Sequence, residues 1–323
     1  MYDLIIIGGG PAAISAGIYA GRKQLKTLII AQNWGGQVSL APLIENYPGF
    51  ESILGPDLVN KFVSHLKKND LEIQQGIAVK EIFLNKNKEV EVKTEKDKYI
   101  AKTIIITAGR NPRKLGLPNE AKFIGKGISY CSICDAPLFK NKDVAVIGGA
   151  NAGLGTALDL ANYASKVYIV ECLSELPADA FLQKKIKKIS KIKILTNTAV
   201  RGIKGDDFVN GLIYREKGSK ENKEVSVKGI FVAIGSTANS SLLKNMVELN
   251  EQGEIKINSK NQTSQSNIFA AGDVTDVSHK QIVIAAGEGA KAALNVYDYI
   301  NKLKKENNNY VKREKRTVAY SCF

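Results

Sequence analysis

The sequence predicts an α/β protein built on two Rossmann-like, dinucleotide-type βαβ units. Three observations carry that expectation. An apolar run ends in Gly8-Gly9-Gly10, a second ends in Gly148-Gly149, and each turn is followed by a helical stretch and then another apolar strand. The chain has 323 residues, which suits two domains.

Residues 2–7 (Tyr-Asp-Leu-Ile-Ile-Ile) form a short apolar strand. Residues 11–23 follow as a helix with Ala12, Ala13, Ala16 and Ala20 as small packing residues, and residues 25–30 as the next strand. A helix is expected over 56–68. Residues 77–84 and 89–94 alternate as a strand pair, and Thr103–Thr107 forms another strand. The second unit begins at 144–147 (Val-Ala-Val-Ile), turns through Gly148 to Gly153, continues as a helix to about Tyr163, and returns as the strand Val167–Val170. Lys184, Lys185, Lys187, Lys188, Lys191 and Lys193 interleave with Leu182, Ile186 and Ile189, the spacing of an amphipathic helix with a wet basic face. Gly229–Ile234 is an apolar strand ending at Gly235, and Ile268–Ala271 is another ending at Gly272-Asp273. Residues 281–302 read as a closing helix, and 304–323 as a basic, loosely ordered tail.

Composition narrows the function classes. A 44% hydrophobic content excludes a wholly disordered chain. Four cysteines, two of them in one Cys-x-x-Cys, exclude a disulfide-stapled secreted scaffold. The net charge of +14 sits largely on solvated lysine faces, and no aromatic-interleaved basic stripe points to nucleic acid. Met1-Tyr2-Asp3 leads straight into the first strand without a signal-peptide pattern, and no long uncharged apolar stretch predicts a membrane span. A cytoplasmic location is expected.

Four features carry chemistry. Gly8-x-Gly10-x-x-Ala13 combines a tight turn, a close backbone approach to a pyrophosphate and a small residue for helix–strand packing, with the phosphate at the helix N-terminus. No acidic residue ends the following strand, where Leu28-Ile29-Ile30 leads to Ala31-Gln32, so a simple NAD-type ribose clamp is not expected there. In the second turn Gly148 and Gly153 flank Ala150, which stands where a second glycine would be and whose methyl group crowds a pyrophosphate. Glu171 ends the next strand, where a carboxylate accepts from a ribose 2′-OH and repels a 2′-phosphate; no arginine follows it closely, which favours NADH over NADPH. Third, the thiols of Cys131-x-x-Cys134 can close a small disulfide and pass two electrons by exchange, with Asp135 placed as acid or base. Cys172, Cys322, His65 and His279 stand at spacings unsuited to completing a zinc site. Fourth, Gly272-Asp273, followed by Lys280-Gln281, places a carboxylate and a helix N-terminus where a cofactor hydroxyl and a reduced ring can be held.

Together, Gly8-x-Gly10-x-x-Ala13, Cys131-x-x-Cys134-Asp135 and Ala270-Ala271-Gly272-Asp273-Val274 resemble the low-molecular-weight thioredoxin reductases, which are FAD-dependent pyridine nucleotide-disulfide oxidoreductases. Gly35-Gly36-Gln37, Glu45-Asn46-Tyr47-Pro48-Gly49 and Gly127-Ile128-Ser129-Tyr130 extend the match. Asp273-Val274-Thr275-Asp276-Val277, Lys280-Gln281-Ile282 and Val170-Glu171 are similar to the reductase part of the alkyl hydroperoxide reductase flavoprotein. The resemblance implies that the second domain is inserted into the first: FAD domain 1–112 and 240–303, pyridine-nucleotide domain 113–239. It also implies FAD contacts from Gly8, Gly10, Ala13, Gly36, Gln37, Asn46, Gly272, Asp273, Gln281 and Ile282. Cys134 would face the flavin, Cys131 would attack the partner disulfide, and Asp135 would be the acid. The implied function is reduction of thioredoxin or a thioredoxin/glutaredoxin-like protein by a homodimer using NADH or NADPH. Alternatives are a peroxiredoxin-system reductase acting through a separate carrier, a ferredoxin- or deazaflavin-driven reductase, and a flavin-bound redox sensor without turnover.

Overall fold

Tyr2–Ile7 reads as uninterrupted apolar chain because both its faces are covered. Leu4 and Ile6 pack on one side with Ala13, Ala16 and Val296, while Ile5 and Ile7 pack on the other with Val92, Ile104 and Ile268. The computed structural model describes residues 1–41 and 44–320, with side chains through residue 306.

The chain opens with β1 (Tyr2–Ile7), α1 (Pro11–Arg22), β2 (Thr27–Ala31), α2 (Gly55–Leu66), β3 (Glu72–Gln75), β4 (Val79–Leu84), β5 (Val90–Thr94) and β6 (Lys98–Ile106). It continues through β7 (Arg110–Pro112), α3 (Glu120–Phe123), β8 (Ile128–Ser129), α4 (Ser132–Asp135), β9 (Asp143–Ile147), α5 (Asn151–Ala161) and β10 (Lys166–Val170). Then come α6 (Ala180–Lys187), β11 (Ile192–Leu195), β12 (Thr198–Gly205), β13 (Val209–Glu216), β14 (Lys223–Val225), β15 (Gly229–Val232) and β16 (Ser236–Ala238). The last elements are β17 (Ile268–Ala270) and α7 (Ile282–Tyr320).

These elements form two units. The first comprises Met1–Ser39, Pro56–Arg110 and Ala238–Phe323; the second comprises Leu40–Gly55 and Asn111–Thr237. The second is therefore inserted into the first. In the first unit the strand order is β3-β2-β1-β6-β5-β4, with β17 beside β6. β1 pairs in parallel with β2 and β6, in register Ile5 to Leu28 and Ile5 to Ile104. Helix α7 closes the unit against α1, so tightly that a Cβ added at Gly289 would lie 2.1 Å from the Ala12 carbonyl oxygen.

The second unit repeats the logic with a sheet ordered β11-β10-β9-β15-β8, all of it parallel. Val144 and Val146 face Leu154, Ala157 and Leu160 of α5, while Ala145 and Ile147 face Ile203 and Leu212. Those last two come from the antiparallel meander β12-β13-β14, which no apolar run in the sequence announces.

Several boundaries differ from the sequence reading: the strand expected over Thr103–Thr107 is Lys98–Ile106, and two differences involve helices. The lysine-rich helix ends at Lys187, and Lys193 lies on β11, where parallel pairing of Ile192 with Val167 and Ile194 with Ile169 takes over. The closing helix passes residue 303 and runs to Tyr320, through Lys, Glu and Arg residues of good helix propensity.

Candidate active site

The first Gly-rich turn is shaped by close packing. Gly8 has φ +135°, and a Cβ there would meet the Thr107 carbonyl oxygen at 2.4 Å. Gly10, in contrast, is the N-cap of α1 with extended backbone (φ −81°, ψ −176°), and a Cβ on it would meet no protein atom within 4 Å. No side chain caps this helix start, which leaves its first N–H groups without a side-chain acceptor. Ala13 is fully buried beneath the turn.

The same face receives Gly272 and Asp273. Gly272 has φ +78° and lies over Ala12 and Ala285. Thr275 ties the turn by donating its N–H at 3.0 Å and its hydroxyl at 2.8 Å to the Gly272 carbonyl. No hydrogen bond among the described residues reaches the Asp273 carboxylate; burial pushes its pKa up, opposed by the Lys280 and Arg110 charges. Lys280 and Arg110 both pair with Glu254, at 3.1 and 2.7 Å. Gln37 donates its amide to the Arg110 carbonyl at 2.9 Å, and Gly36 beside it has φ +54° with open space at its Cβ position. Gln281 and Ile282 stand at the start of α7. Sequence positions from 8 to 282 are thus brought to one side of one sheet. Asn46 belongs to the Leu40–Gly55 segment of the second unit.

The second turn copies the first. Gly148 has φ +114° against the Ala233 carbonyl, and Ala150 is the N-cap of α5 with φ −78° and ψ 179°, nearly the conformation of Gly10. Its methyl group is unstrained and occupies space that Gly10 leaves empty. A Cβ at Gly153 would lie 1.9 Å from the Gly148 oxygen, so the helix can meet the turn only through glycine. Glu171 is 7% exposed. Its Oε2 accepts the Gly149 N–H at 2.6 Å, and its Oε1 accepts from the Leu173 N–H at 3.0 Å and the Cys172 thiol at 3.3 Å. Burial raises the Glu171 pKa, but these hydrogen bonds outweigh it and hold the carboxyl below its ordinary value. The sequence shows no arginine soon after Glu171, yet the fold brings Arg201 and Arg215 into one cavity of about 300 Å³ with Cys172.

Cys131 and Cys134 are joined as a disulfide, their Cα atoms 5.4 Å apart. The pair spans the short helix α4, and Cys131 Sγ accepts the Cys134 N–H at 3.2 Å. Asp135 is 8% exposed. Its Oδ2 accepts from Ser129 Oγ at 2.6 Å, while its buried Oδ1 has no hydrogen bond among the described residues. Burial pushes its pKa up, with the Ser129 hydrogen bond opposing. The neighbouring polar side chains turn away: Ser132 donates to Asp159 at 2.7 Å, and Tyr130 donates to the buried Glu120 at 2.9 Å. Cys172 is an exposed free thiol whose pKa is raised, first by its hydrogen bond to Glu171. Among the described residues no cluster of His, Cys, Asp or Glu can hold a metal ion. No described helix is long and apolar enough to cross a membrane.

Several of these residues escape a linear reading. Ser129 acts on Asp135 across six positions, Arg110 meets Glu254 across 144, and Thr107 shapes the Gly8 turn from just beyond the end of β6. Only the short Gly127–Tyr130 stretch carried any signal for the first of these.

The described residues thus combine two dinucleotide-type turns with a Cys-x-x-Cys disulfide that is followed by a buried carboxyl. The chain belongs to the pyridine nucleotide-disulphide oxidoreductase family, which matches residues 2–289. It is 44% identical over 300 residues to the F subunit of alkyl hydroperoxide reductase from Staphylococcus epidermidis, covering 93% of this chain and 59% of that protein. Its Staphylococcus aureus counterpart is 43% identical with the same coverage, so the chain spans somewhat over half the length of these relatives. Among solved structures it is similar to thioredoxin reductase from Streptococcus pyogenes, with 34% identity, a TM-score of 0.89, and coverage of 94% and 99% of the two chains. For thioredoxin reductase from Giardia duodenalis the values are 30%, 0.86, 93% and 99%.

Proposed function

We propose that this protein passes electrons from NADH, through FAD, to the Cys131–Cys134 disulfide and on to thioredoxin or a thioredoxin-like protein. The observation that carries the reading is the Cys131–Cys134 disulfide with Asp135 buried directly behind it.

The first unit suits FAD. The uncapped start of α1 and the empty space before Gly10 suit its pyrophosphate, with Gly8 and Ala13 fixing the turn. The Asp273 carboxylate lacks a donor and suits a ribityl hydroxyl. Gly36, Gln37, Gly272, Gln281 and Ile282 complete the proposed contacts of this unit. When bound, FAD supplies the two-electron link between nicotinamide and disulfide.

The chain's own residues do the rest. Gly148, Ala150 and Gly153 form the nicotinamide-nucleotide turn, and Glu171 keeps a free lone pair on Oε2 for a ribose hydroxyl. In the dithiol state Cys131, at the helix start, attacks the partner disulfide, and Cys134 resolves the mixed disulfide. Burial favours the protonated form of Asp135, which can give its proton to a departing thiolate.

The test is Cys131→Ser in the flavin-loaded protein. Partner reduction should disappear while flavin bleaching by NADH persists; unimpaired thioredoxin reduction would overturn the assignment. Bleaching by NADPH rather than NADH would instead assign Arg201 and Arg215 to a 2′-phosphate. The relationship to the alkyl hydroperoxide reductase proteins supports a second reading, in which a separate carrier takes the electrons to a peroxiredoxin. A peroxide-dependent assay with purified carrier and peroxiredoxin separates the two.

A further inference from the structure

Ser129 ends β8 and is 4% exposed. Its hydroxyl oxygen lies 2.6 Å from Asp135 Oδ2, accepts the Cys131 N–H at 3.1 Å, and lies 3.3 Å from the Cys131 carbonyl oxygen. A serine hydroxyl has one proton to donate and two lone pairs. The Cys131 N–H uses one lone pair, which leaves one donor and one acceptor position.

We propose that Ser129 is a positioning residue that keeps Asp135 hydrogen-bonded in both of its protonation states, so that Asp135 can serve as the proton store of the Cys131–Cys134 dithiol. With Asp135 ionised, the Ser129 hydroxyl donates to Oδ2. With Asp135 protonated, the carboxyl donates to Ser129 Oγ, and the hydroxyl proton turns to the Cys131 carbonyl. The Cys131 N–H donates to Oγ in both arrangements, so the turn carrying the attacking thiol need not move when the proton does.

The surroundings leave this task to Ser129. Helix α4 packs chiefly on α5, whose one charged residue is Asp159, and on the Ala136–Phe139 turn, which has none. Asp159 is engaged by Ser132. Glu120, behind Tyr130, is engaged by Tyr130 and by the Leu115 and Gly116 N–H groups. No cation among the described residues pairs with Asp135, and burial resists its ionisation.

The inference rests on the exchange reaction proposed above. That reaction starts with Cys131 as thiolate, Cys134 as thiol and Asp135 protonated. Cys131 Sγ bonds to one partner sulfur, the partner S–S bond breaks, and the departing thiolate takes the Asp135 proton. Cys134 then gives its proton to Asp135 as it attacks Cys131 Sγ. The Cys131–Cys134 bond closes, and the second partner thiolate leaves with that proton. Two electrons and two protons have passed to the partner.

The experiment uses flavin-loaded protein carrying Cys172→Ser and Cys322→Ser, so that the active pair is the reacting thiol. The reduced protein is mixed with the chromogenic disulfide dithiobis(nitrobenzoate) across a range of pH, and the rate profile is recorded. Ser129→Ala should move the Asp135-dependent limb upward by about one pH unit, the amount by which the hydrogen bond to the ionised carboxylate exceeds the one from the neutral carboxyl. Ser129→Thr should restore it. Ser129→Cys, a weaker donor of similar shape, should give a smaller shift in the same direction. In an Asp135→Asn background the limb should vanish, and Ser129→Ala should then change nothing. An unmoved limb in Ser129→Ala, or a Ser129→Ala effect that adds fully to that of Asp135→Asn, overturns the proposal. Full reactivity in Cys131→Ser would overturn the underlying site reading instead, independently of Ser129.

Discussion

Glu171 holds the second turn together and, in the proposed function, a ribose hydroxyl as well. Glu171→Ala leaves the Gly149 and Leu173 N–H groups without their acceptor, and should cost about 2–3 kcal/mol in urea denaturation. It should also raise the KM for NADH about tenfold with little change in kcat, the pattern of a lost binding contact. Unchanged KM would remove Glu171 from the nucleotide site. Asp135 makes a prediction of opposite electrostatic sense. Its folded pKa is raised, so the folded state binds the proton more tightly than the unfolded chain. Stability is therefore greatest below the unfolded value of about 3.9 and falls as pH rises through the folded value. Asp135→Asn should abolish that dependence and gain on the parent as pH rises. Urea midpoints that shift in parallel for both proteins would contradict the burial argument. At this scale the sequence revealed residues whose partners lie within a motif: the two cysteines, Asp135, the glycines and Glu171. It was silent on Arg201, Arg215 and Glu254, which gain their surroundings only when distant strands meet.

At the scale of elements, the approach of α7 to α1 holds the first unit together. Gly289→Ala drives a methyl group into the Ala12 carbonyl and should cost at least about 2 kcal/mol. Gly287→Ala, two residues earlier on the same helix, meets open space and should be neutral or stabilising by about 0.5–1 kcal/mol. Thermal unfolding of the two variants checks this, and equal effects would contradict it. The elements legible in the sequence were those whose apolar pattern is long or continuous: β1, β2, β9, β10 and the buried face of α7. The meander β12-β13-β14 was not, because Arg201, Gly202 and Lys204 interrupt the alternation on β12. The lysine-rich helix read too long because Ile189, Ile192 and Ile194 continue an apolar pattern that a helix end and a strand can both satisfy.

At the scale of the whole molecule, the chain carries one turn design twice, with different residues in the two copies. Both turns place a positive-φ glycine against a strand-end carbonyl and an extended residue at the helix start, yet one has Gly10 and the other Ala150. The acidic strand end and the disulfide belong to the second copy alone. That asymmetry underlies the proposed division into a flavin unit and a nicotinamide-and-dithiol unit, and the chemistry requires the two to exchange electrons. The most direct measurement is an anaerobic dithionite titration of the flavin-loaded protein beside its Cys131→Ser, Cys134→Ser double variant. The parent should take up two electron pairs per flavin, one for the flavin and one for the disulfide, and the variant one. Equal uptake by both proteins would show that Cys131 and Cys134 are not in redox contact with the flavin, and would contradict the account.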